Sequence, residues 1–424
     1  MMMSSVGLAS DHQLSLWMTV LLLVFSVLFG LVAASTATSP KQFNVDDYGA
    51  NGSDKVDDSE AFLKAWNDLC STEDSMLIVP VNKTYYLKPI SFSGPCKSKL
   101  GLQIYGTIKA SPHPWDYKKG EKHWLMFKSL TDFVVEGGGK INGNGRKWWK
   151  RKRDCKVRKT TPCKAAATAL TFYKCSNLRV DDVKIKNAQQ MHLRLEKCTN
   201  VTAQNLHIHA HSNSTNTDGI HVTDSANVLI NRTIIGTGDD CISIVSGSTN
   251  VKATNISCGP GHGISIGSLG QNNSAASVSN ISVNGAYISN TTNGVRIKTW
   301  EGGSGYAKNI VIENIVMRNV SNPIIIDQNY CDPEEELCHG RVKNEPISSA
   351  VQVSNIVFKN IKGTSATEVA ITLNCSKSHP CMEIHMINID FRFTHGTAKC
   401  SEANVLHLHE NHVIPRIDRV LSRE

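Results

Sequence analysis

Two acids stand side by side, Asp239 and Asp240, in the stretch GTGDDCISI from Gly236 to Ile244. They open a run of alternating β-branched residues, a setting in which charge is costly unless it has a task. Aligned with its neighbours, the run becomes one of a series: DGIHV from Asp218, DCISI from Asp240, HGISI from His262, NGVRIK from Asn293 and NPIIID from Asn322. The pairs Ile220/Val222, Ile242/Ile244, Ile264/Ile266, Val295/Ile297 and Ile324/Ile326 then share the inward positions. Asp218, Asp240 and His262 share one corner, with Asp239 one residue earlier, and successive corners are expected about 4.8 Å apart, one strand spacing. His221, Ser243, Ser265 and Arg296 share the next outward position, and Lys298 follows two residues after Arg296. Two such spacings place Arg296 roughly 10 Å from Asp240.

Carboxylates this close cannot all ionise without cost, so one is expected to keep its proton while the others stay charged. That is the condition for two-carboxylate glycoside hydrolysis, in which one acid protonates the leaving oxygen and another activates water. Asp218 and Asp240 are too near each other to leave much room for a sugar. The diagonal from Asp218 to Asp239 is longer, and a gap of about 6.5–9.5 Å predicts inversion at the anomeric carbon. Taken singly, an Asp at a strand corner is ordinarily a turn cap, His262 between two glycines fills a tight turn, and Arg296 and Lys298 make a solvated strand edge. Their convergence on one groove is what favours chemistry.

The elements that must hold these residues are visible as a repeat. From Asn177 onward an Asn precedes alternating apolar residues: NLRVDDVKI at Asn177, NVTAQNLHI at Asn200, NVLINRTII at Asn227, NVKATNISC at Asn250, NISVNGAYI at Asn280, NIVIENIVM at Asn309 and NIVFKNIKG at Asn355. The steps are 23, 27, 23, 30, 29 and 46 residues. A fixed period of this size means stacked supersecondary units, and alternation of period two makes them strands. The fold class expected is all-β, a single-domain right-handed parallel β-helix. The long step contains the segment from Cys331 to Cys338, read as a loop. Recurrent Asn at one phase predicts a buried turn satisfied by side chains stacked from coil to coil. The sequons at Asn200, Asn255 and Asn280 are accordingly read as ladder rather than glycan sites. An open coil end would expose a sheet edge and the apolar bore, so an N-terminal capping helix is expected. DDSEAFLKAWNDLC supplies it: Asp57 or Asp58 caps a helix with Phe62, Ala65, Trp66 and Leu69 on one face.

The chain has 424 residues, 40% hydrophobic and 19% charged, proportions that exclude disordered and collagen-like classes. Residues 1–34 read as a secretory leader with an apolar run from Leu14 to Ala34 and small residues at Val32 and Ala34, leaving 35–424 as the catalytic domain. The run has no basic residue before it and is long enough to span a bilayer, so an uncleaved anchor is the rival reading. Thirteen cysteines, some closely spaced as Cys155/Cys163, Cys331/Cys338 and Cys375/Cys381, suit an oxidising compartment, and the odd count leaves at least one thiol unpaired. No pair has zinc-site spacing, so no metal is expected. Sequons at Asn51, Asn82, Asn231, Asn272, Asn290 and Asn319 agree with secretion. The formal net charge is +8, which makes a polyanionic partner plausible. The densest basic run, KWWKRKRDCKVRK from Lys147 to Lys159, reads in a secreted chain as a surface for an acidic polymer or as a solvated loop, not as a nucleic-acid patch.

Four motifs in order, NTDG from Asn216, GDD from Gly238, GHG from Gly261 and RIK from Arg296, resemble those of polygalacturonases, and the chain is most similar to the plant type. The likeness extends from DDYGANG at Asp46 through LTFYKC and NAQQMH to IIIDQNYCD at Ile324. The resemblance implies inverting hydrolysis of α-1,4 bonds between galacturonates in de-esterified pectin, with no cofactor; the chain is expected to act as a monomer, secreted to the cell wall and free of the membrane once the leader is removed. It makes Asp239 the general acid, Asp218 and Asp240 the water-activating pair and His262 their support. Arg296 and Lys298 would hold a substrate carboxylate, Tyr330 would line the cleft and Asn216 would touch substrate. It also implies a Cys241–Cys258 disulfide. Two positions depart from the pattern: Thr215 stands where Pro commonly precedes NTDG, bearing on the turn that aims Asp218, and Glu301 stands where Gln usually follows KTW, putting an acid near the cations. Three rivals share features of this reading. A rhamnogalacturonan hydrolase should lack the Arg/Lys pair, a catalytically silent pectin-binding β-helix should have lost an acid, and a calcium-dependent pectate lyase could use clustered acids as oxygen ligands.

Overall fold

Alternating in/out side chains make each short run of this chain a strand, and residues with positive φ between the runs make it turn back on itself. The structure, a computed structural model, describes residues 39–158, 165–331 and 348–417. Among these, one face of the coil is a parallel sheet of 11 strands and the remaining faces form a second sheet of 19, also parallel throughout. The molecule is a parallel β-helix within the compact unit Lys41–Glu424. Among the described residues no helix is long and apolar enough to cross a membrane, and the segment read as a leader lies outside them.

Five strands of the 11-stranded face matter most: β1 (Ile220–Thr223), β2 (Ile242–Ile244), β3 (Ile264–Leu269), β4 (Asn293–Trp300) and β5 (Asn322–Tyr330). They pair in that order and in the aligned register: Ile220, Ile242, Ile264, Val295 and Ile324 lie opposite one another, as do Val222, Ile244, Ile266, Ile297 and Ile326. All ten are at most 2% exposed. Each such side chain contributes roughly 1.5–3 kcal/mol on burial, and a slip of one residue would turn every one outward.

The recurrent asparagines form the ladder that their phase predicts. Asn200 donates to Asn177 (3.1 Å), Asn227 to Asn200 (3.0 Å), Asn250 to Asn227 (3.0 Å), Asn280 to Asn250 (3.2 Å), Asn309 to Asn280 (3.1 Å) and Asn355 to Asn309 (2.9 Å). Each has a left-handed backbone, φ between 52° and 58°, which Asn tolerates better than other residues with a Cβ. The expectation of a buried ladder is corrected: these residues are exposed, because the bend projects its side chains along the outside of the corner. Glycosylation at Asn200 or Asn280 would therefore compete with the ladder bond for the same amide nitrogen.

The N-terminal helix α1 (Ser59–Cys70) buries Phe62, Ala65, Trp66 and Leu69 as its spacing predicts. Its cap comes from Asp57, which accepts from Ser59 N (3.1 Å) and Oγ (2.6 Å), whereas Asp58 accepts from Asn51 N (2.6 Å). Trp66 packs against Phe92, Phe127 and Phe133 at 5.0–5.9 Å between ring centres. The basic run is not a loop but a second helix, α2 (Arg146–Arg158). Trp148 and Trp149 anchor it: both are buried, Trp148 meets Tyr117 edge-on at 5.1 Å, and Trp149 Nε1 donates to the Ala188 carbonyl (3.0 Å).

Disulfides join Cys241 to Cys258, as the resemblance implies, and also the closely spaced Cys375 to Cys381 and the more distant Cys70 to Cys96. Cys155 and Cys331 are disulfide-bonded, and the partners that spacing suggests, Cys163 and Cys338, lie outside the described residues. Cys175 and Cys198 are buried thiols.

Candidate active site

The turns entering β1, β2 and β3 bring Asp218, Asp239, Asp240 and His262 to one wall of a cleft of about 890 Å3, which Arg296, Lys298 and Tyr330 also line. Glycine is required where these turns crowd. A Cβ on Gly238 would lie 1.9 Å from the Ser214 carbonyl oxygen, and Gly263 has φ +84° with the Asn293 carbonyl oxygen 2.0 Å from where a Cβ would sit. A larger cavity of about 1140 Å3, lined in part by Phe391, Lys399 and Ile417, belongs to the C-terminal coils and holds none of these acids.

The three carboxylates have different surroundings. Asp240, 2% exposed, accepts from Ser265 Oγ (2.7 Å) and Arg296 Nη2 (3.2 Å), with Lys298 Nζ at 3.6 Å. Burial raises its pKa, the charges of Lys298 and Arg296 oppose that, and the nearby Asp239 and Asp218 add to it; the balance lies above the usual carboxylate range. Burial alone would raise Asp239 too. There the His262 ring (Nδ1 to Oδ1, 3.2 Å) and the Asp240 backbone N–H (2.8 Å) prevail and hold the carboxyl below its usual range. His262 is raised in return, chiefly by its hydrogen bond to Asp239 and against the effect of burial. Asp218 accepts from Ser243 Oγ (2.7 Å), whose oxygen lies 2.8 Å from His221 Nδ1.

Burial thus shifts Asp240 toward its protonated form, whereas contact with His262 shifts Asp239 toward its charged form and His262 toward imidazolium. One expectation changes here. The cations are not 10 Å from Asp240. Their backbone is two coils away, but both long side chains lean back over β3 to reach the buried carboxylate, and neither turns to Glu301.

The other aligned residues fall at the same cleft. Tyr330 lies under Lys298 Nζ, 5.2 Å from the ring centre, and is braced edge-on by Trp300 at 5.2 Å. Asn216, with φ 55°, accepts from Lys152 Nζ of α2. Thr215, at the departure before Asn216, leaves its buried Oγ1 without a hydrogen-bond partner. Ser243, Ser265 and His221 were aligned in the sequence but given no role; a polar residue at an outward position beside each acid is the signal that marks them. His192 was missed. It is fully buried, and its Nδ1 lies 3.0 Å from the Asp218 carbonyl oxygen while its Nε2 accepts from Ala188 N (3.4 Å). Burial pushes its pKa down to about 4, so the ring is neutral, donates from Nδ1 and fixes the Asp218 backbone.

Asp239, Asp240 and His262 could bring three metal-ligating atoms within 4.8 Å of one another, and so could Glu383, His385 and His409 on the last coils. At the first group Arg296 and Lys298 already supply positive charge to Asp240. The cluster is thus suited to moving protons beside an anionic ligand.

The sequence profile of Glycosyl hydrolases family 28 matches residues 70–410. The chain is 53% identical over 379 residues to Polygalacturonase-2 of Solanum lycopersicum, covering 88% of this chain and 80% of that protein. It is 50% identical over 388 residues to a polygalacturonase of Malus domestica, covering 91% and 81%. Among solved structures, endo-xylogalacturonan hydrolase from Aspergillus tubingensis superposes with a TM-score of 0.72 at 25% identity, over 84% of this chain and 95% of that one. The polygalacturonase from Erwinia carotovora ssp. carotovora, at 23% identity, shares the fold with a TM-score of 0.69 over 89% and 99%.

Proposed function

The chain belongs to glycosyl hydrolases family 28, and from that premise we propose that it is a polygalacturonase of pectin that cuts the α-1,4 bonds of de-esterified homogalacturonan with inversion. The observation that carries this reading is the placement of three carboxylates on adjacent coils of one cleft, each with a different set of partners.

In the proposed reaction Asp239 delivers the proton it shares with His262 to the glycosidic oxygen as the C1–O bond breaks. A water held by Asp218 and Asp240 attacks C1 from the opposite face and passes its proton to one of them. Arg296 and Lys298 exchange part of their contact with Asp240 for a galacturonate carboxylate, Arg296 as a fork and Lys298 as a point charge. Tyr330 and Asn216 border the sugar. Secretion to the cell wall, where pectin resides, follows from the leader read in residues 1–34 and from the substrate. The chain is proposed to act as a monomer without a cofactor.

The test is the anomeric form of the first product released from polygalacturonate, followed by proton NMR. The β-anomer appearing first is expected. The α-anomer appearing first would show retention, and an unsaturated product absorbing in the ultraviolet would show a lyase.

A further inference from the structure

Beside the cleft, the outside of the coil stack carries basic residues in register. Lys140, Lys184 and His207 lie directly opposite one another on successive parallel strands, and in the row two residues on Lys186 lies opposite His209. Their inward neighbours Ile141, Ile185 and Ile208 are buried, so the basic side chains point outward about 4.8 Å apart. Like charges directly opposite each other destabilise a sheet unless something answers them. Lys109, which continues the second row past Asn142, has such an answer in Asp54 at 2.6 Å. Among the described residues Lys140, Lys184 and Lys186 form no ion pair.

A second observation points the same way. Helix α2 and the end of this face enclose a groove of about 500 Å3 whose lining contains Arg146, Arg153, His209, His211 and Trp149, with asparagines completing it and no acidic residue. His209 belongs both to this groove and to the row that contains Lys186. Asn213 belongs both to this groove and to the catalytic cleft. One path along the surface therefore leads from the rows, past α2, to the acids, through the shared His209 and Asn213. Trp148 and Trp149 hold the helix down by burial, so its arginines need not contribute to its docking.

We propose that this surface is a second binding site for the polyanion, outside the cleft: a stretch of de-esterified galacturonan lies across Lys140, Lys184 and Lys186, passes Arg146 and Arg153, and enters the cleft at Asn213. The site holds chain that is not being cut and raises the local concentration of bonds at the acids. The inference rests on the proposed polygalacturonase reading for the identity of the polymer.

The test uses the full-length chain carrying Asp239→Asn, so that polymer is bound without being cut. Dissociation constants for long polygalacturonate are compared with and without Lys140→Gln, Lys184→Gln, Lys186→Gln, Arg146→Gln and Arg153→Gln, each protein first checked by thermal unfolding. The expected result is at least tenfold weaker binding with a flatter dependence on salt, largely restored when the three lysines are Arg and the two arginines are kept. In the catalytically competent chain the same five changes lower the ratio of kcat/KM on long polymer to that on trigalacturonate at least fivefold. A smaller variant, Lys184→Gln with Lys186→Gln, gives a weaker loss in the same direction and serves if the larger one does not fold. Binding that stays within twofold of the parent overturns the second site. Hydrolysis of polygalacturonate by the wild-type chain is scored separately, and its absence overturns the proposed activity while the binding comparison is still decided by its own result.

Discussion

The pKa values of Asp239 and His262 are pushed apart, Asp239 down and His262 up, and in the proposed reaction the pair shares one proton. The alkaline limb of kcat/KM then follows the imidazole and lies above its ordinary value, because the pair keeps its proton past the pH at which a free imidazole loses it. Asp240 is raised, so it ionises later than an ordinary carboxyl and the acidic limb also moves up. Replacing His262→Gln leaves a lone carboxyl to hold the proton, and the alkaline limb should fall by at least one pH unit. An unmoved limb would show that His262 does not share the catalytic proton. Asp239→Asn should remove most turnover at every pH without unfolding the chain, since an amide keeps the shape but has no acidic proton to give. Lys298 belongs to two contacts at once. Loss of one partner of a shielded charged pair costs about 2–5 kcal/mol, so Lys298→Ala should lower kcat/KM on polygalacturonate more than tenfold and shrink the preference over highly methylated pectin. It should also raise the acidic limb, because Lys298 is the leading influence holding Asp240 down. A raised limb with an undiminished preference would assign Lys298 to Asp240 alone.

The strands position the acids through their turns, and each kind of turn has its own chemistry. Gly238 lets the Asp239 corner pass against the backbone of Ser214, so Gly238→Ala should displace Asp239 and cost more than tenfold in kcat while much of the fold's stability remains, as read by paired kinetics and denaturation. The outer corners depend instead on Asn in the left-handed conformation. Asn250, with φ 54°, donates to Asn227 and accepts from Asn280. Ala there meets a backbone penalty of about 1–2 kcal/mol in addition to two exposed hydrogen bonds of small net worth. Asn250→Ala should therefore destabilise by about 1–3 kcal/mol and Asn250→Gly by less, measured by urea unfolding. Equal losses for the two would place the effect in the hydrogen bonds rather than the backbone.

A stack of coils is stabilised by its neighbours and is weakest where a neighbour is missing, which is why an end needs a cap. Helix α1 covers the first coils with Trp66 set among Phe92, Phe127 and Phe133. Trp66→Ala should cost about 3–5 kcal/mol, yet leave kcat within about twofold at low temperature because the acids sit several coils away. A matching loss of kcat in protein that is still folded would mean that strain at the cap travels along the bore. On the outside of the coils Lys140, Lys184 and Lys186 lie on neighbouring strands, and Arg146 and Arg153 of α2 line the adjoining groove.

The aliphatic register of β1 to β5, the common corner of Asp218, Asp240 and His262, the Asn ladder and the buried face of α1 were all determined by the sequence itself. Each depends on a short-range rule, the two-residue alternation of a strand, the 3.6-residue turn of a helix or the tolerance of Asn for positive φ, and such rules survive without knowledge of the rest of the chain. The tertiary structure alone decided how the side chains of different coils meet. Arg296 and Lys298 lean back two coils to Asp240, Ser243 and Ser265 donate to acids that sit 25 residues earlier, and His192 hides beneath Asp218 with its ring neutral. It also made the basic run a helix anchored by two tryptophans and left the Asn ladder on the outside. Rotamers, the distance between coils and the depth of burial set these outcomes. All three depend on what the neighbouring coils present, which the spacing of residues along one chain does not encode.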